Sequence, residues 1–371
     1  MVFQNGLDLS PLGLFREAPK ITGFKMTRLE LPKSDPTWRF ALAANPSSPG
    51  FLLQLFSDDG VIGSASVGEI QHLGYRLEDM KSALDAALPE LVGNSSHSSP
   101  EGSIGSLVGP SRALVQMALL DLVARSRKVH AHQLLGNLQR ENIRVTRILA
   151  LKSPTEMAAV AASHIEEGYR DLKIKLDNKD SELDFNRVAA IREAVGPEVR
   201  LTVDANQSYS AEGAFALSKR IAQFDIDVFE QPVPKDDIEG MCFLREHSPI
   251  PIEADEAANS MERISELLAR KAVHGVSIKI PKLGGIDRAI EVVEMCSDAG
   301  VQVRIGAHVG SRLLSAAALQ LAVVIPDLVE PAELAEFERL EGDPVVGLKI
   351  ENGRLSLPDD IGFGVSVTGT A

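Results

Sequence analysis

Six short apolar segments each close on a polar group capable of chemistry: DLKIKL at Lys175, LTVDAN at Asp204, VFEQPV at Glu230, IPIEADE at Asp255, VSIKI at Lys279 and VQVRIGAH at His308. The intervals between these groups are 29, 26, 25, 24 and 29 residues. Three successive carboxylates repel one another if they converge without a cation among them. Hard oxygen donors that leave coordination positions open suit Mg²⁺ or Mn²⁺. A lysine desolvated beside such a site can act as a base or an acid. The pattern therefore suggests a metal site flanked by bases; the alternative is that each acid is salt-bridged separately at the surface.

The elements that must position these groups follow from the interval. A strand, a turn, a helix and a returning loop need about that many residues. One functional group per unit, always where the strand ends, is the arrangement at the active face of a β/α barrel. Side chains alternate along a strand, so Lys173 and Lys175 share a face. If that face is inward, mutual repulsion and burial should lower the pKa of at least one of them; the alternative is a surface pair at a strand end. Neighbouring strands lie about 4.8 Å apart, close enough for Asp204, Glu230 and Asp255 to meet around one cation. Glu253 competes with Asp255 because it shares its parity, whereas Asp225 and Asp227 are expected to face away or precede the strand. Lys279 lies across the barrel from Lys175, and Gly284–Gly285 allow a tight turn after it. Lys282 competes with Lys279 but is expected in the loop. His308 is either catalytic or a satisfied structural group.

Along the chain, residues 1–19 read as an irregular extension. ITGFKMTRLEL, TWRFALAA and the strand–turn–strand pattern of FLLQLFSDDGVIGSASVGE suggest an antiparallel meander. Residues 31–50, rich in Pro, Ser and Asn and carrying the single tryptophan, Trp38, have the length of a functional lid. Helices are expected over 76–92 and 110–135, separated by a Ser/Gly loop at 93–106, giving an α+β domain over 20–138. From residue 143 strands alternate with helices expected at 155–167, 181–195, 211–223, 237–246, 261–271, 286–299 and 312–324. Seven such repeats argue for a closed parallel barrel over 139–330, with an eighth strand at 327–330. GLKIENGRLSL reads as a hairpin within a tail, 331–371, expected to return to the N-terminal domain. The fold class is α/β, a (β/α)7β-type TIM barrel with an N-terminal α+β capping domain.

The 371 residues are 44% hydrophobic and 24% charged, with a net charge of −14. That balance argues against nucleic acid or an anionic membrane as partner, while a small anion remains compatible with a site holding a metal and lysines. Cys242 and Cys296 lie in apolar helical stretches without zinc or redox spacing, so both are expected to be buried free thiols. The first ten residues lack the basic start and apolar core of a signal peptide, and no apolar run reaches about 18 residues. A cytoplasmic protein is expected.

The ordered set K-I-K, V-D-A-N, E-Q-P, A-D-E and I-K-x-x-K-x-G-G resembles the enolase superfamily, specifically its muconate-lactonizing-enzyme-like subgroup. The resemblance runs over nearly the whole chain. It implies that Asp204, Glu230 and Asp255 bind Mg²⁺, that Lys175 and Lys279 are acid/base groups on opposite faces of the substrate, and that Lys173 supports Lys175 and faces the substrate carboxylate. It also implies that the early loop closes over the site and reads the substrate. Two departures stand out. An acidic residue common just after the seventh strand is replaced here by HVGSRLL, and His308 has Lys279, not an aspartate, on the sixth strand, which rejects a His–Asp dyad in favour of the Lys–Lys pair. His308 and Glu330 are then expected to contact the substrate, with Asn206 and Trp38 as further contacts.

A proton α to a carboxylate is too weakly acidic to be lost in neutral water. A Lewis acid on the carboxylate stabilises the charge that develops, one lysine removes the proton and another can return one. That chemistry makes a racemase or epimerase of a small carboxylic acid or amino-acid derivative the leading expectation, with a syn-dehydratase or cycloisomerase as the alternative. A non-catalytic ligand-binding barrel is the rival from another class. Oligomer formation through the N-terminal domain is compatible with the sequence. Specificity is expected to rest near Trp38 and Arg39, on 69–75 (EIQHLGY), and at strand ends seven and eight.

Overall fold

A computed structural model describes residues 7–93 and 102–368. The start of the expected N-terminal extension, 1–6, and the middle of the Ser/Gly loop, 94–101, lie outside the described residues. The remainder of the extension is not irregular throughout, because Pro11–Glu17 is helical. The signal was present in Ser10–Pro11: Ser10 Oγ accepts from Gly13 N at 3.1 Å, and proline stands in the first turn, where no N–H is needed.

The meander comprises β1 (Ile21–Pro32), β2 (Ser47–Ser57) and β3 (Ile62–Gly68), antiparallel and in that order. TWRFALAA does not form a strand; only a single bridge joins Phe40 to Ala43. Asp35 prevents it by folding the chain locally, its carboxylate accepting from Thr37 N at 2.9 Å and its carbonyl from Trp38 N at 3.1 Å. The helix expected over 110–135 is two, Gly109–Ser126 and His132–Leu135. From Gly109 to Ala124 every residue of the first except Arg112 is buried, as a helix apolar on all sides must be. Arg112 ties it to the barrel, donating to both oxygens of Asp287 at 2.9 and 2.6 Å and to Gly284 O at 2.7 Å.

Two short strands follow, β4 (Asn142–Arg144) and β5 (Arg147–Leu149). Then come β6 (Asp171–Lys175), β7 (Arg200–Asp204), β8 (Ile226–Glu230), β9 (Ile252–Ala254), β10 (Gly275–Lys279) and β11 (Gln302–Gly306). Strands β5 to β11 form one parallel sheet in sequence order. Parallel bridges from Val303 to Leu328, Gly306 to Glu333 and Val145 to Ala332 carry the chain between its two edges and curl the sheet into a barrel. The helices between the strands begin and end within two residues of the sequence expectation. Six of the seven starts are fixed by Ser153, Asp180, Ser210, Asp237, Ser260 and Ser311, each of which accepts a backbone N–H of the first turn, whereas Ile286–Ala299 starts at Gly285 without a side-chain cap.

Below the barrel mouth, Arg304 Nε donates to both oxygens of Glu253 at 3.2 and 3.1 Å, and Nη1 donates to Pro331 O at 2.8 Å. Both side chains are buried, so Arg304→Met leaves a buried carboxylate uncompensated. Urea unfolding is expected to show a loss of about 3–5 kcal/mol.

The hairpin is present, Ile350–Glu351 with Arg354–Ser356, turning at Asn352 (φ 49°) and Gly353 (φ 69°). It pairs with β4 and not with the N-terminal sheet. Further on, the tail does reach the N-terminal helix: Phe363 N donates to Asp121 Oδ1 at 2.8 Å, and Arg125 Nη2 to Val365 O at 2.7 Å. Cys296 is buried but Cys242 only partly so. Among the described residues no helix is long and apolar enough to cross a membrane.

Candidate active site

Parallel register sets Lys175 beside Asp204 and Asp204 beside Glu230 at the C-terminal ends of their strands. Lys279 ends β10. Three strands, β7 to β9, separate it from β6, and β11, the Leu328–Glu333 segment and β5 separate the two on the other side, so Lys175 and Lys279 face each other across the barrel. Asn206 and Gln207 follow β7 with φ of 42° and 73°, a left-handed turn that brings the Asn206 amide back over the mouth.

The ammonium of Lys175 donates to Asp204 Oδ2 at 2.6 Å and to Asn206 Oδ1 at 2.9 Å. Asn206 Nδ2 donates to Glu256 Oε1 at 2.9 Å, which fixes which end of the amide meets the lysine. Lys173 Nζ lies 2.6 Å from Glu333 Oε1, 2.9 Å from Asp204 Oδ2 and 2.7 Å from both Glu230 oxygens. Lys279 donates to Asp255 Oδ2, and Lys282 to Asp255 Oδ1 at 2.5 Å and to Asp255 O at 2.6 Å.

Burial alone would depress Lys173 and Lys279, but carboxylates outweigh it. Asp204, Glu230 and Glu333 hold Lys173 well above the ordinary range, and Asp255 and Glu333 raise Lys279. Crowding between lysines was expected to lower at least one of the strand pair; for Lys173 the direction is opposite. Lys282 is lowered by burial against the pull of Asp255. Burial, Glu333, Asp204 and Asp255 push Glu230 well above a normal carboxyl, against the opposing charge of Lys173. Glu256 is pushed up to about 7 by burial, then by Asp255 and Asp204.

The three acids are brought to one region, yet among the described residues they do not stand together as metal ligands. Lys173 lies between Asp204 and Glu230, while Lys279 and Lys282 hold Asp255, because buried carboxylates turn to the nearest compensating charge. The donor set nonetheless fits a hard divalent cation. The carboxylates are buried on adjacent strands, Glu230 Oε2 has an ion contact but no directed hydrogen bond, and five acids (Asp204, Glu230, Asp255, Glu256, Glu333) face four lysines.

Above the mouth is a cavity of about 900 Å³ lined by Lys175, Asn206, Asp255, Lys279, His308 and Glu333 from the barrel, and by Trp38, Phe40 and His72 from the N-terminal loops. Trp38 packs on Ile148 and Ala150 of the barrel. The regions expected to read the substrate, the Trp38 loop, 69–75 and strand ends seven and eight, thus all border it. Burial and then Lys279 lower His308 well below the usual histidine range, and burial lowers His72 to about 4, so both imidazoles are neutral at pH 7.

Two expectations, Glu330 and Lys282, need correction. Glu330 is not a cavity residue: its carboxylate accepts from Arg144 Nε at 3.2 Å, and Arg144 also binds Asp171, which begins β6 at the end of the barrel away from the mouth. The eighth segment pairs as far as Glu333, so the acid at the mouth is Glu333. It falls 25 residues beyond His308, and continuing the interval finds it. Lys282 is not in a loop but on a short helix, Ile280–Leu283, and is buried. Glu253 turns to Arg304 and leaves the mouth to Asp255, the acid preferred over it. Glu256, beside Asp255, was overlooked because adjacent strand residues point to opposite faces; the chain has already left β9 at Ala254.

A family model described as Enolase C-terminal domain-like matches residues 156–371. N-succinyl-L-Arg/Lys racemase of Bacillus cereus is 28% identical over 361 residues, spanning 91% of this chain and 97% of that protein. The substrate-liganded L-Ala-D/L-Glu epimerase of Bacillus subtilis superposes with a TM-score of 0.88 at 27% identity, covering 95% of this chain and 100% of that one. The dipeptide epimerase of Enterococcus faecalis, complexed with Mg and L-Leu-L-Tyr, gives 0.87 at 26% identity, covering 94% and 99%.

Proposed function

The chain belongs to the enolase C-terminal domain-like family, within the muconate-lactonizing-enzyme-like part of the enolase superfamily, and from that premise we propose that it inverts the α-carbon of an N-substituted amino acid, one of Lys175 and Lys279 taking the α-proton and the other delivering a proton to the opposite face. It is an isomerase of the racemase and epimerase kind. The observation that carries the proposal is the pair of lysines on diametrically opposed strands, both reaching one cavity.

Asp204, Glu230 and Asp255 would hold a Mg²⁺ ion, whose Lewis acidity stabilises the negative charge that develops on the substrate carboxylate when the α-proton leaves. Asp204 Oδ2 and Asn206 Oδ1 hold the Lys175 ammonium between them, fixing its direction toward the cavity. Asp255 does the same for Lys279, and Lys282 anchors Asp255 from behind. One lysine, entering the step as the neutral amine, takes the proton, and the other, entering as the ammonium, delivers one to the opposite face; the reverse reaction exchanges their roles. Lys173, compensated by Glu230 and Glu333, places fixed positive charge beside the substrate carboxylate. Neutral His308 and His72 offer hydrogen bonds without adding charge. Trp38 and Phe40 cover the mouth and keep water from the α-carbon.

The test is α-proton exchange in D₂O, followed by ¹H NMR, on a panel of N-acyl amino acids and dipeptides with Mg²⁺ present. Exchange with appearance of the opposite configuration is expected. Loss of water or ring closure without exchange, or no reaction across the panel, would overturn the proposal.

A further inference from the structure

Glu256 is a buried acid that no cation compensates by contact. It is 2% exposed, and its Oε2 has no hydrogen-bond partner. Among the described residues its carboxylate accepts one hydrogen bond, from Asn206 Nδ2 to Oε1 at 2.9 Å. The charges of Lys279 and Lys282 act on it from a distance, but both lysines are paired with Asp255 instead. A carboxylate buried against a single amide costs stability, so packing does not account for an acid at this position.

Its one partner has two different ends. Asn206 Oδ1 accepts from Lys175 Nζ at 2.9 Å while Nδ2 faces Glu256. An amide turned over would aim N–H groups at the ammonium and its oxygen at the acid; a carboxylate takes only the N–H end, so Glu256 forbids the turn. Both ends of this hydrogen bond rest on Gln231, which is fully buried. Gln231 O accepts from Gln207 N at 2.8 Å, and Gln231 Oε1 accepts from Asp255 N at 3.1 Å and Ala257 N at 2.9 Å. The turn carrying Asn206 and the turn carrying Glu256 are thereby held at one separation. Asp204 Oδ2 is shared between Lys175 and Lys173, so Asn206 Oδ1 is the partner that Lys175 has to itself. Across the barrel, Lys279 has no amide beside it and donates to Asp255 alone.

We propose that Glu256 is a positioning residue for one face of the reaction only: by locking the Asn206 amide it aims Lys175 at the α-carbon, and it takes no part in aiming Lys279. The inference rests on the two-lysine function proposed above and divides that site into a half aligned by Asn206 and Glu256 and a half that is not. Inversion needs both lysines, and at equilibrium its loss must be equal in the two directions. Exchange of the α-proton with solvent needs only the lysine that removes it, so exchange separates the two faces.

The test is the initial rate of α-proton exchange in D₂O with Mg²⁺, followed by ¹H NMR, for each configuration of whichever N-acyl amino acid or dipeptide the full chain exchanges fastest. The configuration served by Lys175 is the one that Lys279→Ala still exchanges. In Glu256→Leu its exchange is expected to fall about ten- to a hundredfold, the cost of a slightly misplaced reacting group, while the other configuration stays within about threefold. Glu256→Gln keeps an acceptor for Asn206 Nδ2 without the charge and is expected to recover the lost rate to within about threefold of the parent. Asn206→Gly removes the amide but accommodates the left-handed backbone there (φ 42°), and should show the same one-sided loss. Adding Glu256→Leu to Asn206→Gly should cost nothing further, because the two act as one unit. Glu256→Ala replaces the leucine variant if that does not fold. Equal loss on both faces, loss on neither, loss on the Lys279 face alone, a glutamine variant as slow as the leucine one, or an additive double variant would overturn the positioning role while leaving the two-lysine function standing. A parent chain that exchanges neither configuration of any member of the panel overturns that function and this inference with it.

Discussion

Lys175→Ala and Lys279→Ala are each expected to stop interconversion of the two configurations, with turnover falling by about 10²- to 10⁴-fold, the range of a lost general acid or base. Both variants should still fold, for a reason visible in the site. Removing Lys175 leaves Asp204 with Lys173, and removing Lys279 leaves Asp255 with Lys282, so neither strips a buried carboxylate of its last cation. The two variants should differ in stereochemistry. Each retains one lysine, so in D₂O each should exchange the α-proton of one configuration only, the one presented to the surviving base, without producing the other. Racemisation by either variant within a few-fold of the parent rate would remove that lysine from the mechanism. Loss of the same exchange in both would mean that they do not act on opposite faces.

Magnesium should have an effect of similar size, readable without any substrate. Chelation is expected to abolish exchange, and Mg²⁺ to restore it. In the absence of substrate, Mg²⁺ at 100 times its dissociation constant should add about 2.7 kcal/mol to stability if it binds only the folded chain, seen as a rise in thermal midpoint. The physical driver is the surplus of carboxylates at the mouth, which leaves Glu230 pushed far above its usual range by burial and by Glu333, Asp204 and Asp255. Glu230→Gln removes one of the three ligands while Lys173 keeps Glu333 and Asp204, and should lose most of the Mg²⁺-induced rise. A midpoint indifferent to Mg²⁺ would reject the metal site.

The near-constant spacing of Lys175, Asp204, Glu230, Asp255, Lys279 and His308 was sufficient to predict both the barrel and the end of it at which these groups gather. This works because a parallel strand cannot be followed by another without a crossover of nearly fixed length, and because a side chain at a strand terminus has only one place to go. Helix boundaries were legible for a similar local reason: Ser153, Asp180, Ser210, Asp237, Ser260 and Ser311 satisfy orphan N–H groups of the turns that follow them.

What the chain order could not decide was partnership across distance. Whether Glu330 or Glu333 faces the mouth depends on where the eighth segment stops pairing with both edges of the sheet. Lys282 appeared to be a loop residue until a short helix turned it back onto Asp255. Lys173 is held well above the ordinary lysine range by Asp204, Glu230 and Glu333, which come from three other elements. Local periodicity thus determined the elements and the identities of the groups at their ends. Tertiary packing alone decided which charges compensate one another, because electrostatic pairing in a buried site depends on distances between segments that the sequence does not order.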